Sequence, residues 1–443
     1  MSSEPGRAPA TRDQADAYRF GERRLEAALV RGDAVLAHEG LRSRRRAVVA
    51  GVVAGALSLV VAGVLARADP APDWRRAELV RGERTGVLYA VATGPDRLVP
   101  VPDPVAGRLV LAALGRTDGA SAVPVVVPDA ALATAPRTPP AAVPPAVGVP
   151  LDGAPVPSSW AACDSDGATT VLAGALAPGP DPAVAPVLLT AEGGATYLVH
   201  DGVRHRTDTG DSAVVAGLGL RGVPARRIAA AVLSAIPEGA PLRLPGTGEV
   251  VTSRPLGAPE LTLLDVDGGL APIPVTLADA LLARSGHDRP TTVPPGRVAS
   301  APVRAVPGVE AWPRERASDA PAGPVLCATW RDGRAGLVVG DRVPAVPGGA
   351  AVPLTGADGA GPRADTVVLP PSGPGPLRSG VDGSGARWLL TASGAVYGVA
   401  DELSARAVGV EPAPAAPAGV LGLLPRAGVL DVRAAREVGD VPR

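Results

Sequence analysis

The chain of 443 residues contains no lysine, so all 43 of its basic residues are arginines. This absence excludes the P-loop GxxxxGK[ST], in which a lysine reaches the terminal phosphates of a nucleotide. The 44 acidic residues leave a formal net charge of only −1, so composition supplies no strong electrostatic attraction to nucleic acid. Aromatic residues make up only 2% of the sequence, and we therefore expect a core built from Val, Leu, Ile and Ala.

Long uncharged runs are scarce as well, but the segment 47–66 contains no charged residue. A helix of about 20 residues spans about 30 Å, which is the thickness of the hydrocarbon core of a bilayer. The arginines before it predict a cytoplasmic N-terminus and an anchor at the membrane interface, formed by Arg42, Arg44, Arg45 and Arg46. We therefore predict a cytoplasmic arm over 1–46, a transmembrane helix over 47–66 and an extracytoplasmic remainder.

Two alternatives to the transmembrane helix are a cleaved signal peptide and a buried core helix. The N-terminal segment is much longer than that of a signal peptide, and the run has no polar face, so both alternatives are disfavoured. Gly51, Gly55 and Gly63 lie on one face of this helix and predict a ridge on which a partner helix can pack closely.

There are only two cysteines, Cys163 and Cys327, and both lie in the part predicted to be outside the cell. An even number in such a compartment favours a disulfide over the alternative of two buried thiols.

The arm begins with a capping box, Thr11-Arg12-Asp13-Gln14, so we expect a helix from there to about Leu36. Apolar side chains recur on one stripe of this helix, and arginines alternate with acidic residues around it. The pattern fits either a solvated helix near anionic lipid headgroups or a helix that docks on a cytoplasmic partner. In the second interpretation the docking residues are Tyr18, Arg19, Phe20, Arg23, Arg24, Leu25, Leu29 and Arg31.

This N-terminal block resembles that of the EccB family, a membrane component of the actinobacterial type VII (ESX) secretion machinery. The matching positions are Thr11, Arg12, Gln14, Tyr18, Arg19, Phe20, Arg23, Arg24, Leu25, Glu26, Ala28, Leu29, Val30, Arg31 and Asp33. Where the family usually has Asp-Pro before Leu41-Arg42, this chain has Glu39-Gly40. The resemblance implies a central extracytoplasmic domain with a disulfide, four repeats around it and assembly with other secretion components.

Internal repetition in the chain agrees with that implication. The segment that starts at Ala195 matches the one at Ala386, and each reads as a β-hairpin that turns at Gly202 or Gly394. Further on, 232–242 aligns with 420–430 without gaps. With two weaker copies, we predict repeats of hairpin plus short helix over 78–122, 190–245, 247–286 and 380–437.

The predicted fold class is therefore α+β, with a cytoplasmic amphipathic helix, one transmembrane helix and a disulfide-bridged central mixed sheet with four repeats. The central domain is assigned to 123–189, which includes a Pro-rich linker, and to 287–379. Stretches rich in Pro or Gly at 124–158, 354–376 and 411–418 are interpreted as linkers or surface loops without regular structure.

Motifs for catalysis are weak in this chain. Gly217-Leu-Gly-Leu-Arg-Gly222 is a literal GxGxxG, but Pro224 follows it and no βαβ unit surrounds it, so a turn is favoured over a dinucleotide site. His38, His200, His205 and His287 do not have the spacing of metal ligands, and Asp164-Ser-Asp166 and Asp265-Val-Asp267 are typical of turns. We therefore expect no catalytic residue, metal or cofactor.

Three functions remain as hypotheses. The first is a non-catalytic structural subunit of a type VII secretion complex that supports export of small WXG100-type proteins. The resemblance implies as its partners the FtsK/SpoIIIE-type ATPase EccC, EccD, EccE, further copies of itself and the mycosin protease. The second is a membrane-anchored peptidoglycan-binding protein, for which the few Trp and Tyr residues are an unfavourable sign. The third is an extracytoplasmic ATPase, an activity attributed to some EccB proteins.

Overall fold

The computed structural model of the protein describes residues 11–32, 39–68, 72–149, 159–177, 185–246, 248–318, 323–370, 375–380, 383–410 and 413–436. The chain forms two compact units, Met1–Pro72 and Asp73–Arg443. The described residues of the first unit form two helices, α1 (Arg12–Arg31) and α2 (Glu39–Ala68). Helix α1 ends before the predicted Leu36, because Gly32 takes the left-handed conformation that terminates helices. Leu36 itself lies outside the described residues.

The second unit is built around one six-stranded central sheet and four smaller sheets. Each smaller sheet, together with its helices, is called a module here, and the modules are numbered along the chain. The first module contains β1 (Leu79–Gly82), β2 (Leu88–Ala92), β3 (Arg97–Val101), α3 (Pro104–Ala113), β4 (Pro124–Val127) and α4 (Asp129–Leu132). The chain then enters the central sheet through the hairpin β5 (Ser159–Ser165) and β6 (Ala168–Ala173).

The second and third modules follow directly along the chain. The second contains β7 (Val187–Thr190), β8 (Thr196–His200), β9 (Val203–Arg206), α5 (Ser212–Leu218), β10 (Arg226–Arg227) and α6 (Ala230–Ala235). The third contains β11 (Glu249–Ser253), β12 (Leu261–Val266), β13 (Gly269–Pro272), α7 (Val275–Ser285), β14 (Thr291–Thr292) and α8 (Pro295–Ser300).

The chain next returns to the central sheet and then forms the fourth module. The returning strands are β15 (Val325–Arg331), β16 (Arg334–Gly340), β17 (Ala350–Pro353) and β18 (Thr366–Leu369). The fourth module contains β19 (Pro376–Ser379), β20 (Arg387–Leu390), β21 (Val396–Val399), α9 (Glu402–Val408), β22 (Ala415–Ala416) and α10 (Ala418–Leu423), and β23 (Arg426–Leu430) and α11 (Val432–Arg436) end the described chain.

All four modules share one topology. The strand order is third, second, first, fourth in every module, the first three strands are antiparallel, and the fourth runs parallel to the first. After the second helix the chain returns beside the third strand in parallel, as at Arg137, Glu238, Val303 and β23. The central sheet has the order β16-β15-β5-β6-β18-β17.

The observed module limits differ from the assignments made from sequence. The central domain was assigned 123–189 and 287–379, but β4, α4 and β7 in the first range belong to modules, as do β14, α8 and β19 in the second. The stretches at 124–158 and 354–376 also contain regular structure, including β4 and β18, contrary to the prediction of linkers. These strands are two to four residues long and pair in parallel with distant strands, so they leave no local periodicity to detect.

Modules pack in two pairs, each with its own hydrophobic core. Helix α5 of the second module packs on α7 of the third, and α3 of the first packs on α9 of the fourth. The core of the first–fourth pair also takes in Ala141, Val143 and Ala146 from the Pro-rich segment that follows the first module. That segment therefore acts as a packed strap between the first and fourth modules, where the sequence had predicted a linker.

The second and fourth modules flank the central sheet. Their helices α6 and α10 contact each other and cover one face of the sheet, which presents Trp160, Leu326 and Trp330. The hairpin tip at Gly202 touches Ala335 on edge strand β16, and the tip at Gly394 touches Leu354 and Val367 at the opposite side. The two hairpins that match in sequence thus contact the central sheet near its two opposite edges.

Candidate functional site

Helix α1 presents an uncovered amphipathic surface within the N-terminal unit. Its start is held by the predicted capping box: the Thr11 N–H donates to Gln14 Oε1 over 3.0 Å, and the Gln14 N–H donates to Thr11 Oγ1 over 3.4 Å. Tyr18, Leu25 and Leu29 lie on one stripe and are 65% to 84% exposed. Phe20, also exposed, lies on the opposite side, so the structure does not bring all the predicted apolar docking residues together. No residue of α1 is buried.

The arginines of α1 leave their charge exposed to solvent. Arg19 lies 3.7 Å from the carboxylate of Asp16, and both side chains are about 70% exposed, which makes this a weak surface pair. Arg23 and Arg31 are exposed, and Arg24 is exposed with a partner of its own. The face therefore combines apolar contact area with positive charge.

Helix α2 contains the one described stretch long and apolar enough to cross a membrane, Ser43–Val64, with 22 residues and none buried. Arg44, Arg45 and Arg46 follow one another at its N-terminal end and are exposed, whereas the Arg42 side chain lies outside the described side chains. Gly51, Gly55 and Gly63 are exposed, with no atom within 4 Å of the position a Cβ would take. The small-residue ridge is therefore open along its length.

A disulfide joins two neighbouring inner strands of the central sheet. Cys163 on β5 and Cys327 on β15 are directly opposite each other, with their Cα atoms 4.0 Å apart, and the bond joins positions 164 residues apart. The disulfide lies on the face of the sheet opposite α6 and α10, among Ala161, Val325 and Val338. Both cysteines are fully buried, so the bond is protected inside a small apolar cluster.

Asp164, the residue after Cys163, ties the second module to the central sheet. One carboxylate oxygen accepts from the Gly167 N–H of the β5–β6 turn at 3.0 Å, and the other accepts from the Ala229 N–H at 2.7 Å. Ala229 is the N-cap of α6, and nearby Arg226 donates to the Gly323 carbonyl at 2.8 Å. Asp166 and Gly167 form a hairpin turn with positive φ, in agreement with the interpretation of Asp164-Ser-Asp166 as a turn.

Two close helix contacts depend on glycine. Gly419 of α10 lies so near Ala235 of α6 that a Cβ would overlap its backbone, and Gly217 of α5 lies equally near Thr276 and Ala280 of α7. Gly217 is the first glycine of the GxGxxG motif, and Gly219 is the left-handed C-cap of α5. The motif therefore serves helix packing and helix termination, in agreement with the interpretation as a turn. Sequence reasoning missed Gly419, although it stands directly before the repeated block that aligns 232–242 with 420–430.

The histidines of the second module have structural contacts. The rings of His200 and His205 stack with centroids 4.6 Å apart, His200 Nε2 lies 2.9 Å from the Ala311 carbonyl, and His205 Nδ1 lies 2.8 Å from the Ala240 carbonyl. Burial lowers the pKa of His205 below its ordinary value. Among the described residues, no group of three His, Cys, Asp or Glu side chains could hold a metal ion.

A buried carboxylate closes the junction of the first and fourth modules. Asp103 accepts from the N–H of Ala106 at the start of α3 and, at 2.6 Å, from the Ala146 N–H of the strap. Burial raises the pKa of Asp103, although the hydrogen bonds from Ala106 and Ala146 act in the opposite direction. Burial and the nearby Asp103 raise the pKa of Tyr397, whose hydroxyl donates to the Pro145 carbonyl of the strap. The strap and both modules are thus fastened together around Asp103.

The sequence matches one protein-family model over residues 7–442, described as type VII secretion system ESX-1, transport TM domain B, or EccB. Among curated relatives, the ESX-5 secretion system ATPase EccB5 of Mycobacterium marinum is 27% identical over 95% of this chain and 92% of the relative. The protein of the same name from Mycobacterium tuberculosis is 28% identical over the same shares.

Solved structures with similar folds come from the same machinery. A chain of an intact ESX-5 inner membrane complex matches 100% of this chain and 98% of its own length, with 26% identity and a TM-score of 0.62. A chain of the EccB3 dimer from the ESX-3 core complex matches 81% of this chain with 22% identity and a TM-score of 0.62, which supports the fold. With a family model that covers nearly the whole sequence, this chain belongs to the EccB family of type VII secretion proteins.

Proposed function

We propose that the protein is a non-catalytic structural subunit of a type VII (ESX) secretion complex in the cell membrane. The observation that carries this proposal is the end-to-end match, in both sequence and fold, to a chain of an intact ESX-5 inner membrane complex. The architecture supports a structural role, because the second unit is a central sheet crosslinked by a disulfide, and its modules are held by helix crossings and buried hydrogen bonds.

In this proposal Ser43–Val64 crosses the membrane with the N-terminus in the cytoplasm and the second unit outside. The consecutive arginines at its N-terminal end support that orientation through the positive-inside rule. A disulfide in the second unit is also typical of an extracytoplasmic compartment. The four modules of equal topology are, in this proposal, the repeats predicted from sequence, and the central sheet is the domain they surround.

The exposed face of α1 is proposed as the docking surface for the cytoplasmic parts of EccC, EccD or EccE. Tyr18, Leu25 and Leu29 supply apolar contact area on an otherwise polar helix, and the arginines around them supply charge. The open glycine ridge of α2 is proposed to pack against a neighbouring transmembrane helix. Further copies of this chain and the mycosin protease are proposed partners of the second unit.

Co-purification from the native host tests this assignment. The tagged full-length chain, extracted in mild detergent, should bring down EccC, EccD and EccE, as identified by mass spectrometry. Leu25→Asp should reduce their recovery about tenfold, because it places a charge in the apolar stripe. Ala27→Asp adds the same charge on the opposite side of α1 and should leave recovery unchanged. Recovery of none of the three subunits by the unmodified chain would contradict the proposal.

Nucleotide hydrolysis is the second candidate, because the printed names of the curated relatives include ATPase. The chain has no lysine and therefore no P-loop, so hydrolysis would require a different arrangement of arginine and glycine. Phosphate release by the purified full-length chain tests this candidate. Release that persists in the double variant Arg206→Glu/Arg243→Glu, which alters the arginine-lined cleft described below, would indicate a contaminant or another site.

The structure gives little support to peptidoglycan binding through aromatic platforms. Trp74, Trp160, Trp312 and Trp330 are at most 3% exposed, and Trp388 is partly buried. Sugar-binding surfaces use exposed rings, so these residues serve the core instead. Co-sedimentation of the full-length chain with purified peptidoglycan would reveal a contact made by other residues.

A further inference from the structure

A cleft of about 610 Å³ lies where the second module meets the third. Its charged lining comes from the end of β9 and the loop after it, from the segment after α6 and from the end of α7. Its wall includes Val214 of α5. The charged residues are Arg206, Asp208, Asp211, Arg243 and Arg284. This volume lies within the range of ligand-binding clefts in proteins, which is about 300 to 1,000 Å³.

The pair formed by the first and fourth modules shows what fills the equivalent position there. Asp211 and Asp401 are the N-caps of the matching helices α5 and α9, and Val214 and Ser404 each stand three positions after them. In the first–fourth pair, α11 occupies this position: it packs on α3, and its Val432 N–H donates to Ser404 Oγ over 3.1 Å. Val432 and Ala435 of this short helix are fully buried.

The second module cannot supply such a helix from its own chain. Leu242 pairs beside the third strand of its module as Leu430 does in the fourth, but Pro245, Gly246 and Gly248 follow it. Proline and glycine oppose helix formation, and β11 already begins at Glu249. The cleft is the space that remains.

The charges of the two positions differ in a way that specifies the occupant. In the filled position, the N-cap Asp401 has Arg433 of α11 at 4.0 Å. In the cleft, the corresponding Asp211 already pairs with Arg284 of α7 at 3.2 Å and accepts the Ala213 N–H. An incoming helix therefore needs no arginine.

Within the described part of the chain, two arginine side chains of the cleft are not neutralised by a neighbouring carboxylate. The side chains of Arg206 and Arg243 are exposed and have no hydrogen-bond or ion-pair partner among the described residues. Asp208 directs one oxygen to the Gly210 N–H at 2.9 Å and so is partly used within its own loop. An occupant that supplies carboxylates would satisfy both arginines with charge-assisted hydrogen bonds.

We propose that this cleft, called the module 2–3 cleft, binds a short acidic helical segment of another polypeptide, in the position that α11 occupies in the first–fourth pair. The segment would place a small apolar residue towards Val214 and Leu244, as α11 places Val432, and one or two carboxylates at Arg206 and Arg243. The proposal rests on the proposed function only for the source of the segment, which is another subunit of the assembly.

A designed peptide tests the site on the purified full-length chain in detergent. The probe is a helix-stabilised, fluorescently labelled peptide with the sequence of residues 430–436, modified by Arg433→Glu and Arg436→Glu. Fluorescence anisotropy should show saturable binding, and the unmodified basic peptide should bind at least tenfold more weakly. Arg206→Glu or Arg243→Glu in the protein should weaken binding of the acidic peptide about tenfold each, because like charges then face each other.

Arg289→Glu, which reverses an exposed arginine of the third module that does not line the cleft, is the matched control and should leave binding unchanged. Absence of saturable binding, or equal weakening by the control, would overturn the proposal. Displacement of the peptide by ATP at lower concentration than by unlabelled peptide would overturn it too, since the cleft would then be a nucleotide site. Peptide binding does not depend on the secretion subunits. It can therefore fail while co-purification succeeds, and it can succeed while co-purification fails.

Discussion

At the scale of single residues, this protein relies on small side chains at helix crossings. Aromatic residues are few, and helices that meet through alanine and glycine bring their backbones unusually close. Gly419 against Ala235 and Gly217 against Ala280 are the two closest such contacts described above. Added volume at these points has nowhere to go, because the neighbouring atoms belong to backbone.

Gly419→Ala tests this dependence at the crossing of α6 and α10. The added methyl group would overlap the Ala235 carbonyl, so we expect a loss of about 1 to 3 kcal/mol in the free energy of unfolding. Gly422→Ala is the control, since it lies on the same helix with no atom within 4 Å and should stabilise the helix by about 0.5 to 1 kcal/mol. Thermal unfolding followed by circular dichroism would measure both. Equal effects of the two variants would contradict the close crossing.

His205 should make the second module sensitive to acid. Burial lowers the pKa of this imidazole in the folded state, so the unfolded chain binds the proton more readily. Its contribution to stability is therefore complete above the ordinary histidine pKa of about 6.5, and it is lost as the pH falls from there towards the folded-state pKa. We therefore expect the temperature of the unfolding midpoint to decrease as the pH is lowered from about 7.5 to about 5.5.

The variant His205→Asn should show a smaller fall in unfolding midpoint over that range, because the amide can still donate to the Ala240 carbonyl but does not titrate. His287→Asn replaces an exposed histidine and should keep the full pH dependence. A pH dependence that is unchanged in His205→Asn would assign the acid sensitivity to other groups.

At the scale of elements, local features could be predicted from the sequence and distant pairings could not. The capping box at Thr11 and the hairpin turns at Gly202 and Gly394 are set by neighbouring residues, and the structure contains all three. Strands β10, β14 and β22 have two residues each and pair in parallel with strands more than 30 positions earlier, so nothing local indicates them. The module 2–3 cleft was missed for the same reason, since its arginines come from three separate segments.

The disulfide is a covalent constraint on the central sheet. It closes a loop of 164 positions, and in the chain-entropy description such a loop corresponds to about 5 kcal/mol, with measured losses more often about 2 to 5 kcal/mol. The double variant Cys163→Ala/Cys327→Ala should lower the free energy of unfolding by that amount. Unmodified protein under reducing conditions should show a similar loss. A double variant as stable as the oxidised protein would show that the neighbouring strand pairing suffices.

At the scale of the whole molecule, the second unit is organised about its central sheet with one module on each side and a further module attached to each. The second and fourth modules reach the sheet in the same two ways, with a helix on its face and a hairpin tip at its side. In each pair the segment that follows the attached module packs into the shared core, with Ala141, Val143 and Ala146 in one pair and Ala311 and Trp312 in the other. The pairs differ in that, among the described residues, α11 completes the first–fourth pair and no such helix completes the second–third pair. The difference leaves the module 2–3 cleft open.

Docking of the second module on the central sheet can be separated from turn strain. Gly202 and Gly268 both follow an aspartate in a hairpin turn and have φ of 74° and 70°. An alanine at either position has the same cost of a positive φ. Only at Gly202 would its methyl group also overlap Ala335. We expect Gly202→Ala to lower the free energy of unfolding by about 1 to 3 kcal/mol more than Gly268→Ala. Limited proteolysis should then release the second module earlier in Gly202→Ala than in Gly268→Ala. Equal losses of stability in the two variants would contradict the contact between the hairpin tip and β16.

The shared core of the first and fourth modules has a consequence for how the chain is made. Leu79 and Leu109 leave the ribosome more than 300 positions before Leu430 and Val432, with which they form one core. Cys163 likewise cannot form its disulfide until Cys327 has been made. We therefore expect the first module to keep an uncovered apolar face during synthesis until Leu430 and Val432 have been made. We accordingly expect a chain truncated before Leu430 to be more susceptible to proteases than the full chain.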